Sequence, residues 1–509
     1  MALPVSRGPR YEIPMRGFSL ADLAKEVGGH LVTSSPVSVS HITCSSADVQ
    51  AGSLFVAVRG TTVNGHRYIA DAATKGAQAA VVEDSAALGS LPGIVVKNTR
   101  LALSKLAAVM NGNPARELRT IGITGTNGKT TTNWIVYHIL NEIGGGCQRI
   151  GTLGTECMGQ RAEVGSLTSP DAISMQRLLR QAVDMGAQNC VLEASSHALD
   201  QARVEDLEFD VGVFMNLTRD HLDYHKTFEN YFAAKRRLFE LVQNSSKGTR
   251  GAVIHGDDEH GRRLIEEMPR LGLVDWSFGT SEDVALRICG LEETMHQMLV
   301  TLHERRISQT VSLAVPFIGR HNAENVVAAY GVCRALGYEP AVITDALSRV
   351  PQVPGRLERV GEGAPRVFVD YAHTPDALRR VLQAVRPTTE GDLWVVFGCG
   401  GDRDKGKRPE MAAVASEFAE QVVITSDNPR TEDPRAIIND IMVGAVSPRI
   451  VEVDRKSAIQ EAISLARTGD TVVIAGKGHE DYQILGNQKI FFSDQEVAKA
   501  VLARHDLAS

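Results

Sequence analysis

Short apolar runs alternate with amphipathic stretches along the chain, and this alternation occurs in three successive segments. In the first segment, helical patterns at 20–27, 69–75 and 101–110 alternate with strand patterns at 54–58, 79–82 and 94–96. Because short apolar runs bounded by polar turns are typical of buried strands, this segment is predicted to be a small α/β domain. The polar link 111–117, with its glycine and proline, ends the domain, which we assign to residues 1–113.

Two longer segments repeat the alternation with the rhythm of a parallel sheet. Strand patterns at 189–192, 211–215 and 252–254 fall in residues 114–351, and patterns at 367–369, 394–397, 422–425 and 471–475 fall in residues 352–509. Strands that alternate with helices form parallel sheets covered by helices. The sequence therefore predicts an α/β protein of three domains, the last of them Rossmann-like.

Composition narrows the functional classes. The chain has 509 residues, of which 43% are hydrophobic and 23% charged, and its net charge is -7. This mild acidity argues against a nucleic-acid binder, and no apolar run is long enough to span a membrane. The seven cysteines, at positions 44, 147, 157, 190, 289, 333 and 399, form no Cys-x-x-Cys pair. They predict reduced thiols in a cytoplasmic protein rather than disulfides or a zinc site.

A glycine-rich turn in the second segment carries the strongest local signal. Residues 125–131 read GTNGKTT, between a strand pattern at 121–124 and a helical pattern at 134–143. Glycines let backbone N–H groups surround a phosphate, Lys129 can reach the outer phosphates, and Thr130 can offer its hydroxyl to Mg²⁺. Ile123 stands where the standard loop has a glycine, so this is a variant loop. We predict a P-loop ATPase-like central domain.

Two strand ends in the same segment carry possible metal ligands. Glu193 follows one strand pattern directly, and His221 lies shortly after another. In a parallel sheet these ends lie on the same edge as the phosphate-binding turn, where ligands collect. Either residue alone could be a capping or core side chain, but together they favour a Mg²⁺ site beside a nucleotide.

Lys235 interrupts a helical stripe of apolar residues. The stripe consists of positions 228, 231, 232, 238, 239 and 242. A lysine in such a stripe extends its amine to solvent, pairs with an anion, or loses its charge. The spacing alone leaves these three possibilities open.

Four polar loops follow strand patterns in the third segment, at 370–375, 398–404, 426–430 and 476–480. They should open on one edge of the sheet and form a pocket that contains two arginines, a lysine and several carboxylates. Guanidinium groups bind carboxylates with paired hydrogen bonds, and acidic groups bind ammonium. This mixture favours a zwitterionic ligand.

Seven motifs together resemble those of the Mur ligases, the ATP-dependent enzymes that add amino acids during peptidoglycan synthesis. The motifs are TGTNGKTT (124–131), EASSHAL (193–199), DHLDYH (220–225), HNAEN (321–325), DYAHTPD (370–376), GCGGDRDKG (398–406) and AGKGHEDY (475–482). The resemblance extends from about residue 42 to residue 494. The motif DNPR (427–430) resembles that of the members that add meso-2,6-diaminopimelate, whereas lysine-adding members lack the arginine.

The resemblance implies a two-step reaction that joins meso-2,6-diaminopimelate to UDP-N-acetylmuramoyl-L-alanyl-D-glutamate. The glutamate carboxylate attacks the γ-phosphate of ATP, and the amine then displaces phosphate from the acyl phosphate. The implied catalytic residues are Lys129, Lys235, His221 and Glu193, and the implied Mg²⁺ ligands are Thr130, Glu193, His221 and a carbamylated Lys235. The partners would be these small molecules, and we expect a monomer without nucleic-acid or membrane partners.

The resemblance also implies three groups of binding residues. ATP is expected at Gly125, Thr126, Asn127, Gly128, Lys129, Thr130, Thr131, Asn322, Arg356, Asp370 and His373. The UDP-linked substrate is expected at Cys44, Ser46, Thr61, Thr62, Val63, Thr168, Ser169, Ser195, Gln201 and Arg203, although a usual Asp-Ser-Arg reads Ser45-Ser46-Ala47 in this chain. Diaminopimelate is expected at Arg403, Asp427, Asn428, Pro429, Arg430, Gly476 and Glu480.

Two alternatives remain. A lysine-adding ligase or a folylpolyglutamate synthetase-like ligase would share the ATP loop and the buried lysine, but Arg430 and the match in the first domain argue against both. A nucleotide-dependent switch or binding protein would share the loop and lack ligation chemistry.

Overall fold

The N-terminal part of the chain folds around a mostly parallel sheet. The computed structural model describes residues 17–60, 63–162, 167–294 and 297–505. The elements of this part are β1 Phe18–Ser19, α1 Leu20–Glu26, β2 His30–Val32, β3 Ser38–Val39, β4 His41–Thr43, β5 Ser53–Val56, α2 Ile69–Thr74, β6 Ala77–Val82, β7 Gly93–Val95 and α3 Thr99–Met110. The strand order is β2-β7-β6-β5-β4, with β2 antiparallel to β7. Leu54, Val81 and Leu106 lie in the core between this sheet and α3.

The central part contains a larger sheet with the GTNGKTT turn near its middle. Its elements are β8 Arg119–Thr124, α4 Lys129–Ile143, β9 Cys147–Gly151, β10 Gly154–Cys157, β11 Gln160–Ala162, α5 Ala172–Asp184, β12 Asn189–Glu193, α6 Ser196–Asp200, β13 Val211–Phe214, α7 Leu222–His225, α8 Phe228–Gln243, β14 Gly251–Ile254, α9 Glu259–Leu271 and β15 Val274–Asp275. The strand order is β11-β10-β9-β12-β8-β13-β14-β15, parallel from β9 to β15. Ile123 pairs with both Glu193 and Val213. This register sets Glu193 beside the end of β8, directly before the turn.

An antiparallel sheet completes the central part and differs from the predicted parallel pattern. Its elements, with the helices that follow, are β16 Phe278–Gly279, β17 Leu286–Glu293, β18 Met298–Glu304, β19 Gln309–Val315, α10 Arg320–Ala335 and α11 Pro340–Leu347. Strands β17, β18 and β19 pair antiparallel. In β18 the buried residues Met298, Val300 and Leu302 alternate with half-buried neighbours. This period of two is the strand signal that the sequence interpretation overlooked.

The C-terminal part has a parallel sheet with apolar residues on both faces. Its elements are β20 Glu358–Val360, β21 Arg366–Asp370, α12 Pro375–Val385, β22 Leu393–Phe397, α13 Lys407–Phe418, β23 Gln421–Ile424, α14 Pro434–Met442, β24 Ile450–Val451, α15 Arg455–Leu465, β25 Thr471–Ala475, β26 Tyr482–Leu485, β27 Gln488–Phe491 and α16 Asp494–His505. The strand order is β20-β21-β25-β22-β23-β24, with β20 antiparallel. Val395 and Val396, adjacent on β22, belong to different core clusters. Helices therefore cover both faces, as a Rossmann-like sheet requires.

The predicted α/β class is confirmed, and each strand pattern named above is a strand in the structure. Helix α4 begins at Lys129, before the predicted helical pattern at 134–143, and Thr130, Thr131 and Thr132 are buried in its first turn. Trp134 on this helix donates from Nε1 to the carbonyl oxygen of Pro351 at 3.0 Å, which ties α4 to the link that leads into the C-terminal part. None of the helices in the described ranges combines the length and apolar character needed to cross a bilayer.

A buried ion pair fixes two strand ends of the C-terminal part. Arg455 Nη2 lies 2.7 Å from Asp494 Oδ2, and both side chains are 0% exposed. Arg455 also donates to the carbonyl oxygens of Ser426, at 3.3 Å, and Ala475, at 2.9 Å. Two of the polar loops start at these carbonyls, so the ion pair supports their position.

We expect Asp494→Ala to lower the free energy of unfolding of the C-terminal part by about 3–5 kcal/mol, because Arg455 would be left buried without its anion. Hydrogen exchange measured in increasing urea concentrations resolves this part from the others. Glu417→Ala is the control, since it removes only an exposed pair with Arg379 and should cost less than about 1 kcal/mol. Equal effects of the two substitutions would contradict the prediction.

Candidate functional site

The GTNGKTT turn is held by Asn216, which follows β13. The carbonyl oxygen of Asn216 accepts from the Thr126 N–H at 3.0 Å, and its Oδ1 accepts from the Asn127 N–H at 2.8 Å. Gly125 and Gly128 have φ values of 151° and 85°. A Cβ at Gly128 would lie 2.5 Å from Oδ1 of Asn325, so only glycine fits there. Helix α4 begins directly after this turn. Its first N–H groups have no partner within the helix and can bind an anion.

Two lysines from different helices converge on one carbonyl of this turn. Lys129 Nζ donates to the carbonyl oxygens of Gly125 and Thr126, each at 2.8 Å. Lys235 Nζ, from α8, donates to the same Gly125 oxygen at 2.8 Å. In the described ranges, neither amine has a carboxylate within ion-pair distance. Burial, and after it the charge of Lys129, hold the pKa of Lys235 well below its ordinary value.

The position of Lys235 removes one of the three possibilities for its amine. Its side chain is 1% exposed, and Nζ lies 4.5 Å from the centroid of the Tyr231 ring. The amine therefore does not extend to solvent, and pairing with an anion or loss of charge remains. The predicted apolar stripe around Lys235 is buried except for Phe228, which is 40% exposed. Phe228 differs because it is the first residue of α8.

Glu193 is a buried carboxylate whose hydrogen-bond donors are neutral. Its Oε1 accepts from the Thr152 N–H at 2.8 Å, and its Oε2 accepts from the hydroxyls of Thr130 and Thr152, each at 3.1 Å. The residue is 1% exposed. A buried carboxylate is costly unless a cation compensates it. The hard oxygen atoms of Glu193 and Thr130 are suited to Mg²⁺.

His221 lies in an aromatic cluster, and no contact to Glu193 is found in the described part of the chain. The His221 ring centroid is 4.9 Å from that of His197 and 6.3 Å from that of Tyr231. Burial lowers the pKa of His221, Asp220 at 3.4 Å from Nε2 opposes this shift, and Lys129 and Lys235 add to it. The net lowering favours the neutral imidazole, which is the form that binds a metal. No three His, Cys, Asp or Glu side chains converge as metal ligands among the described residues. Mg²⁺ usually binds through one or two carboxylates together with substrate phosphates, so these residues fit it.

Arg356 joins the central and C-terminal parts at the turn. Its Nη2 lies 3.4 Å from Oγ1 of Thr130, and its guanidinium lies 4.7 Å from the Tyr371 ring centroid. Asp370, the last residue of β21, accepts the N–H groups of Leu357 and Ala372, each at 2.7 Å. The adjoining cavity of about 220 Å³ is lined by Pro316, Phe317, Ile318, Asn322, Gln352, Arg356, Leu357, Arg359, Glu362 and Phe368. The structure thus brings Asn322 and Arg356, two predicted nucleotide contacts, into one cavity wall.

His373 and Asn322 are positioned by backbone carbonyls. His373 Nδ1 lies 2.8 Å from the carbonyl oxygen of Tyr371, and burial lowers the pKa of His373. Asn322 Nδ2 donates to the carbonyl oxygen of Ile318 at 2.8 Å. Burial also raises the pKa of Asp370. Hydrogen bonds within the protein therefore hold the side chains of His373 and Asn322 without a ligand.

The predicted substrate contacts of the central part form a hydrogen-bonded group beside Glu193. These residues are Thr168, Ser169, Ser195, Gln201 and Arg203. Ser169 Oγ donates to the Glu193 carbonyl oxygen at 2.7 Å and lies 3.0 Å from the Ser195 hydroxyl, from which it can accept. Arg203 donates to the carbonyl oxygen of Ser169 at 3.1 Å and to Gln201 Oε1 at 2.6 Å. Thr168 Oγ1 lies 3.3 Å from Thr152 Oγ1, and Thr152 contacts the Glu193 carboxylate, so these residues are connected to Glu193 by hydrogen bonds.

The predicted contacts of the first domain lie partly outside the described residues, since Thr61 and Thr62 fall there. Cys44 is exposed, and Val63 is 51% exposed. The charges of Asp171 and Arg100 act on the pKa of both the Cys44 thiol and the Arg203 guanidinium. The carbonyl oxygen of Ser46 accepts from Lys75 Nζ at 3.1 Å.

Loops of the C-terminal part form a pocket with buried acidic groups. Lys477 is 0% exposed and donates from Nζ to Glu480 Oε2 at 3.0 Å and to Asn428 Oδ1 at 3.3 Å. Asn428 Nδ2 donates to the same Glu480 oxygen at 2.9 Å. Asp427 Oδ1 is buried without a hydrogen-bond partner in the described residues, and burial raises the pKa of Asp427. A Cβ at Gly476 would lie 2.9 Å from Asp427 Oδ2, so glycine leaves room for this carboxylate.

Arg430 ends the loop that also carries Asp427 and Asn428. Its Nη1 donates to the carbonyl oxygen of Gly401 at 2.8 Å, and its N–H donates to the carbonyl oxygen of Ile484 at 3.1 Å. In the described ranges, Nε and Nη2 of Arg430 donate to no protein acceptor. Pro429 beside it is buried, whereas Arg403 is exposed at the rim. A guanidinium opposite carboxylates suits a zwitterion, as predicted from the loops.

Two residues of the site were missed by sequence reasoning. Thr152 binds Glu193 from the turn between β9 and β10, and Asn325 contacts the GTNGKTT turn. Lys477 is the lysine that the four loops predicted in the pocket, and it contacts Glu480 there. The Gly151-Thr152-Leu153-Gly154 pattern was the available signal for Thr152, but it does not identify which side chain the turn would meet in space.

A variant phosphate-binding turn, a buried carboxylate beside it and a zwitterion pocket on a third α/β unit define a nucleotide-dependent enzyme whose site lies where its parts meet. Comparison with known proteins gives the particular family. Family models described as "Mur ligase family, catalytic domain", "Mur ligase middle domain" and "Mur ligase, glutamate ligase domain" match residues 38–111, 123–333 and 355–478. The chain belongs to the Mur ligase family, whose members form amide bonds at the expense of ATP.

Individual relatives agree with this assignment. A UDP-N-acetylmuramoyl-L-alanyl-D-glutamate--2,6-diaminopimelate ligase of Thermosynechococcus vestitus is 44% identical over 472 residues, which cover 91% of this chain and 93% of the relative. A solved structure of a ligase with the same name is 31% identical, with a TM-score of 0.69 over 92% of this chain and 96% of that one. Folylpolyglutamate synthase of Mycobacterium tuberculosis has a TM-score of 0.61 at 19% identity, covering 81% of this chain and 95% of that one. That last similarity concerns the fold alone.

Proposed function

We propose that the protein adds meso-2,6-diaminopimelate to UDP-N-acetylmuramoyl-L-alanyl-D-glutamate in peptidoglycan biosynthesis, with ATP as cosubstrate and an acyl phosphate as intermediate. The observation that carries the proposal is Arg356, which contacts Thr130 of the phosphate-binding turn from the unit that also bears the zwitterion pocket of Arg430 and Glu480. The relative from Thermosynechococcus vestitus, 44% identical, is named for this reaction.

The first step requires two anions, the glutamate carboxylate and the γ-phosphate, to approach each other. In our proposal the residues from Gly125 to Thr131 hold the phosphates, and Asn322, Arg356, Asp370 and His373 surround the rest of ATP. Lys129 offsets the charge of the γ-phosphate. The carboxylate oxygen bonds to the γ-phosphorus as the bond to ADP breaks. The group around Ser169 and Arg203 orients the UDP-linked substrate for this attack.

Mg²⁺ belongs to the proposal as the cation of this site. Thr130, Glu193, His221 and a carbamylated Lys235 would hold it, and it would supply charge neutralisation between the carboxylate and the phosphate. Support comes from the oxygen donors of Glu193 and Thr130, and from the Glu193 carboxylate having no cationic partner at ion-pair distance in the described ranges. A neutral amine is required for carbamylation, because its lone pair forms the bond to the carbon of CO₂ and a proton then leaves. The lowered pKa of Lys235 meets that requirement.

The proposal also includes domain limits, assembly and location. We assign residues 1–113 to the UDP-substrate domain, with Cys44, Ser46, Thr61, Thr62 and Val63 as contacts, 114–351 to the ATP domain, and 352–509 to the amino-acid domain. A single chain brings all three parts to one site, which supports a monomer. ATP and a UDP-linked substrate are supplied in the cytoplasm, which supports that location.

The function is tested by offering the purified protein ATP, Mg²⁺ and the UDP-linked dipeptide with either diaminopimelate or L-lysine. We expect phosphate release and a new amide with diaminopimelate, and at least about tenfold less product with L-lysine, because the lysine side chain leaves the Arg430 guanidinium without an anion. Steady ATP hydrolysis without either cosubstrate would instead favour a nucleotide-dependent switch. Equal use of both amino acids would contradict the assigned specificity.

We expect Arg430→Lys to lower kcat/KM for diaminopimelate by about 10- to 100-fold, because a point charge replaces a planar two-pronged donor. The φ of residue 430 is 51°, a strain that arginine and lysine share, so the substitution isolates the side chain. The KM for ATP should change less than about twofold, since the pocket is separate from the turn. Arg435→Lys on the exposed side of α14 is the control, and unchanged kinetics for Arg430→Lys would refute this contact.

We expect Lys235→Ala to lower kcat by about 100-fold or more, and short carboxylic acids such as acetate or propionate to restore part of it by replacing the carbamate anion. In the unsubstituted protein, ¹³C-labelled bicarbonate should give a carbamate signal that the variant lacks. The control is Lys247→Ala, which removes a largely buried lysine paired with Asp210 at 2.7 Å. Acids should restore nothing there. Full activity of Lys235→Ala would contradict the carbamate.

A further inference from the structure

His479 has a buried ring nitrogen that the roles proposed above leave unexplained. It follows β25 in the loop of Lys477 and Glu480. In the described residues its Nδ1 is buried and has no hydrogen-bond partner. The chain of Gly355 packs directly on it, since a Cβ at Gly355 would lie 2.1 Å from the His479 backbone nitrogen. The loop that carries His479 is thus fixed against the residue that precedes Arg356.

The imidazole faces the phosphate side of the site. Its centroid lies 5.3 Å from that of the Tyr371 ring, and the guanidinium of Arg356 lies 4.7 Å from the centroid of the same ring. Arg356 in turn contacts Oγ1 of Thr130, which donates to Glu193. The backbone of Thr152, whose N–H and hydroxyl hold the Glu193 carboxylate, lies near enough to the imidazole to raise its pKa. His479 therefore adjoins the groups that surround the reacting phosphate.

The next residue along the chain belongs to the amino-acid pocket. Glu480 accepts hydrogen bonds from Lys477 and Asn428, at 3.0 and 2.9 Å. An amino acid held by Glu480 and Arg430 enters the reaction as an ammonium ion, which has no lone pair for attack. A proton acceptor is therefore required between this pocket and the acyl phosphate. His479 occupies that position between Arg356 and Glu480.

The surroundings of His479 keep its ring unprotonated. Burial, followed by the charge of Arg356, lowers the pKa of His479 to about 4, while Glu480, Asp481 and the Thr152 backbone act in the opposite direction. The Tyr371 ring also faces it and is neutral at physiological pH. Phosphates bound against Arg356 would compensate the guanidinium charge, so that the imidazole becomes more basic when the nucleotide is present. This change acts in the direction that a general base requires.

We propose that Nδ1 of His479 is the general base that accepts a proton from the amino group of the incoming amino acid, a role that rests on the proposed ligase function. One proton of the ammonium passes to Nδ1, and the freed lone pair bonds to the acyl carbon. The bond from that carbon to the phosphate oxygen breaks, and its electron pair leaves with phosphate. The second nitrogen proton passes to the departing phosphate, which gives the amide and hydrogen phosphate. Nδ1 then releases its proton to solvent.

The test compares two nucleophiles in the His479→Asn variant. Hydroxylamine is uncharged at neutral pH and needs no base to attack an acyl phosphate, whereas diaminopimelate must first lose a proton. We expect amide formation with diaminopimelate to fall by about 100-fold or more. Hydroxamate formation, measured with ATP and the UDP-linked dipeptide, should change less than about threefold, because acyl phosphate formation does not involve this proton.

A second histidine provides a matched control. His138 on α4 also has a buried nitrogen without a partner in the described residues and a pKa lowered to about 4, and it takes no part in the proposed site. His138→Asn should affect the two nucleophiles equally.

Circular dichroism and ATP binding establish that each variant is folded, and His479→Gln replaces His479→Asn where the latter does not fold. Equal losses with both nucleophiles in a folded variant, or no loss with diaminopimelate, would overturn the assignment of His479. Failure of the unsubstituted protein to form the diaminopimelate amide would instead refute the proposed function.

Discussion

An excess of positive charge around the GTNGKTT turn is the constraint on which the site depends. Lys129 and Arg356 meet there beside Lys235, whose amine loses its proton readily because burial and the charge of Lys129 lower its pKa. The hydrogen-bond acceptors of these three side chains are backbone carbonyls and the Thr130 hydroxyl. Like charges repel strongly where water is excluded, and carbonyl dipoles compensate them only in part. Anions of the bound ligands would relieve this repulsion. Glu193, held by neutral donors on the same edge, presents the complementary requirement for a cation.

The pocket on the C-terminal sheet differs from the turn because its charged groups are mostly paired within the protein. Its carboxylates are gathered by the protein itself, because Lys477 and Asn428 fix Glu480 and the buried ion pair of Arg455 supports the strand ends. Glycine at position 476 leaves space for Asp427. A rigid set of acidic groups facing Arg430 selects a ligand with separated charges. The charges around the phosphate-binding turn therefore need counterions from the ligands. Most charges in the amino-acid pocket are already paired within the protein.

The three α/β units could be predicted from the sequence, because strand patterns and glycine-rich turns are local signals, whereas the roles assigned to the side chains of the site stay predictions. The register that pairs Ile123 with Glu193 follows from strand order, so the edge shared by both residues was inferable. Three features were missed or differ from the expectation. The alternation in Met298–Glu304 was overlooked beside the longer helical patterns. The contacts of Thr152 and His479 depend on the approach of separate loops, which no local pattern specifies. His221 was expected beside Glu193, yet its described side-chain contacts are with the rings of His197 and Tyr231 and, at 3.4 Å, with the carboxylate of Asp220.

The hydrogen bond from Trp134 to Pro351 has a mechanical consequence. It anchors the link between the central and C-terminal parts to the helix that begins at the phosphate-binding turn. Arg356 follows this anchor closely along the chain, and Gly355 before it packs against the backbone of His479, the neighbour of Glu480. The arginine and the loop of Glu480 would therefore travel together in any rotation about this anchor, so the nucleotide contact and the amino-acid pocket would reach the central part as one unit.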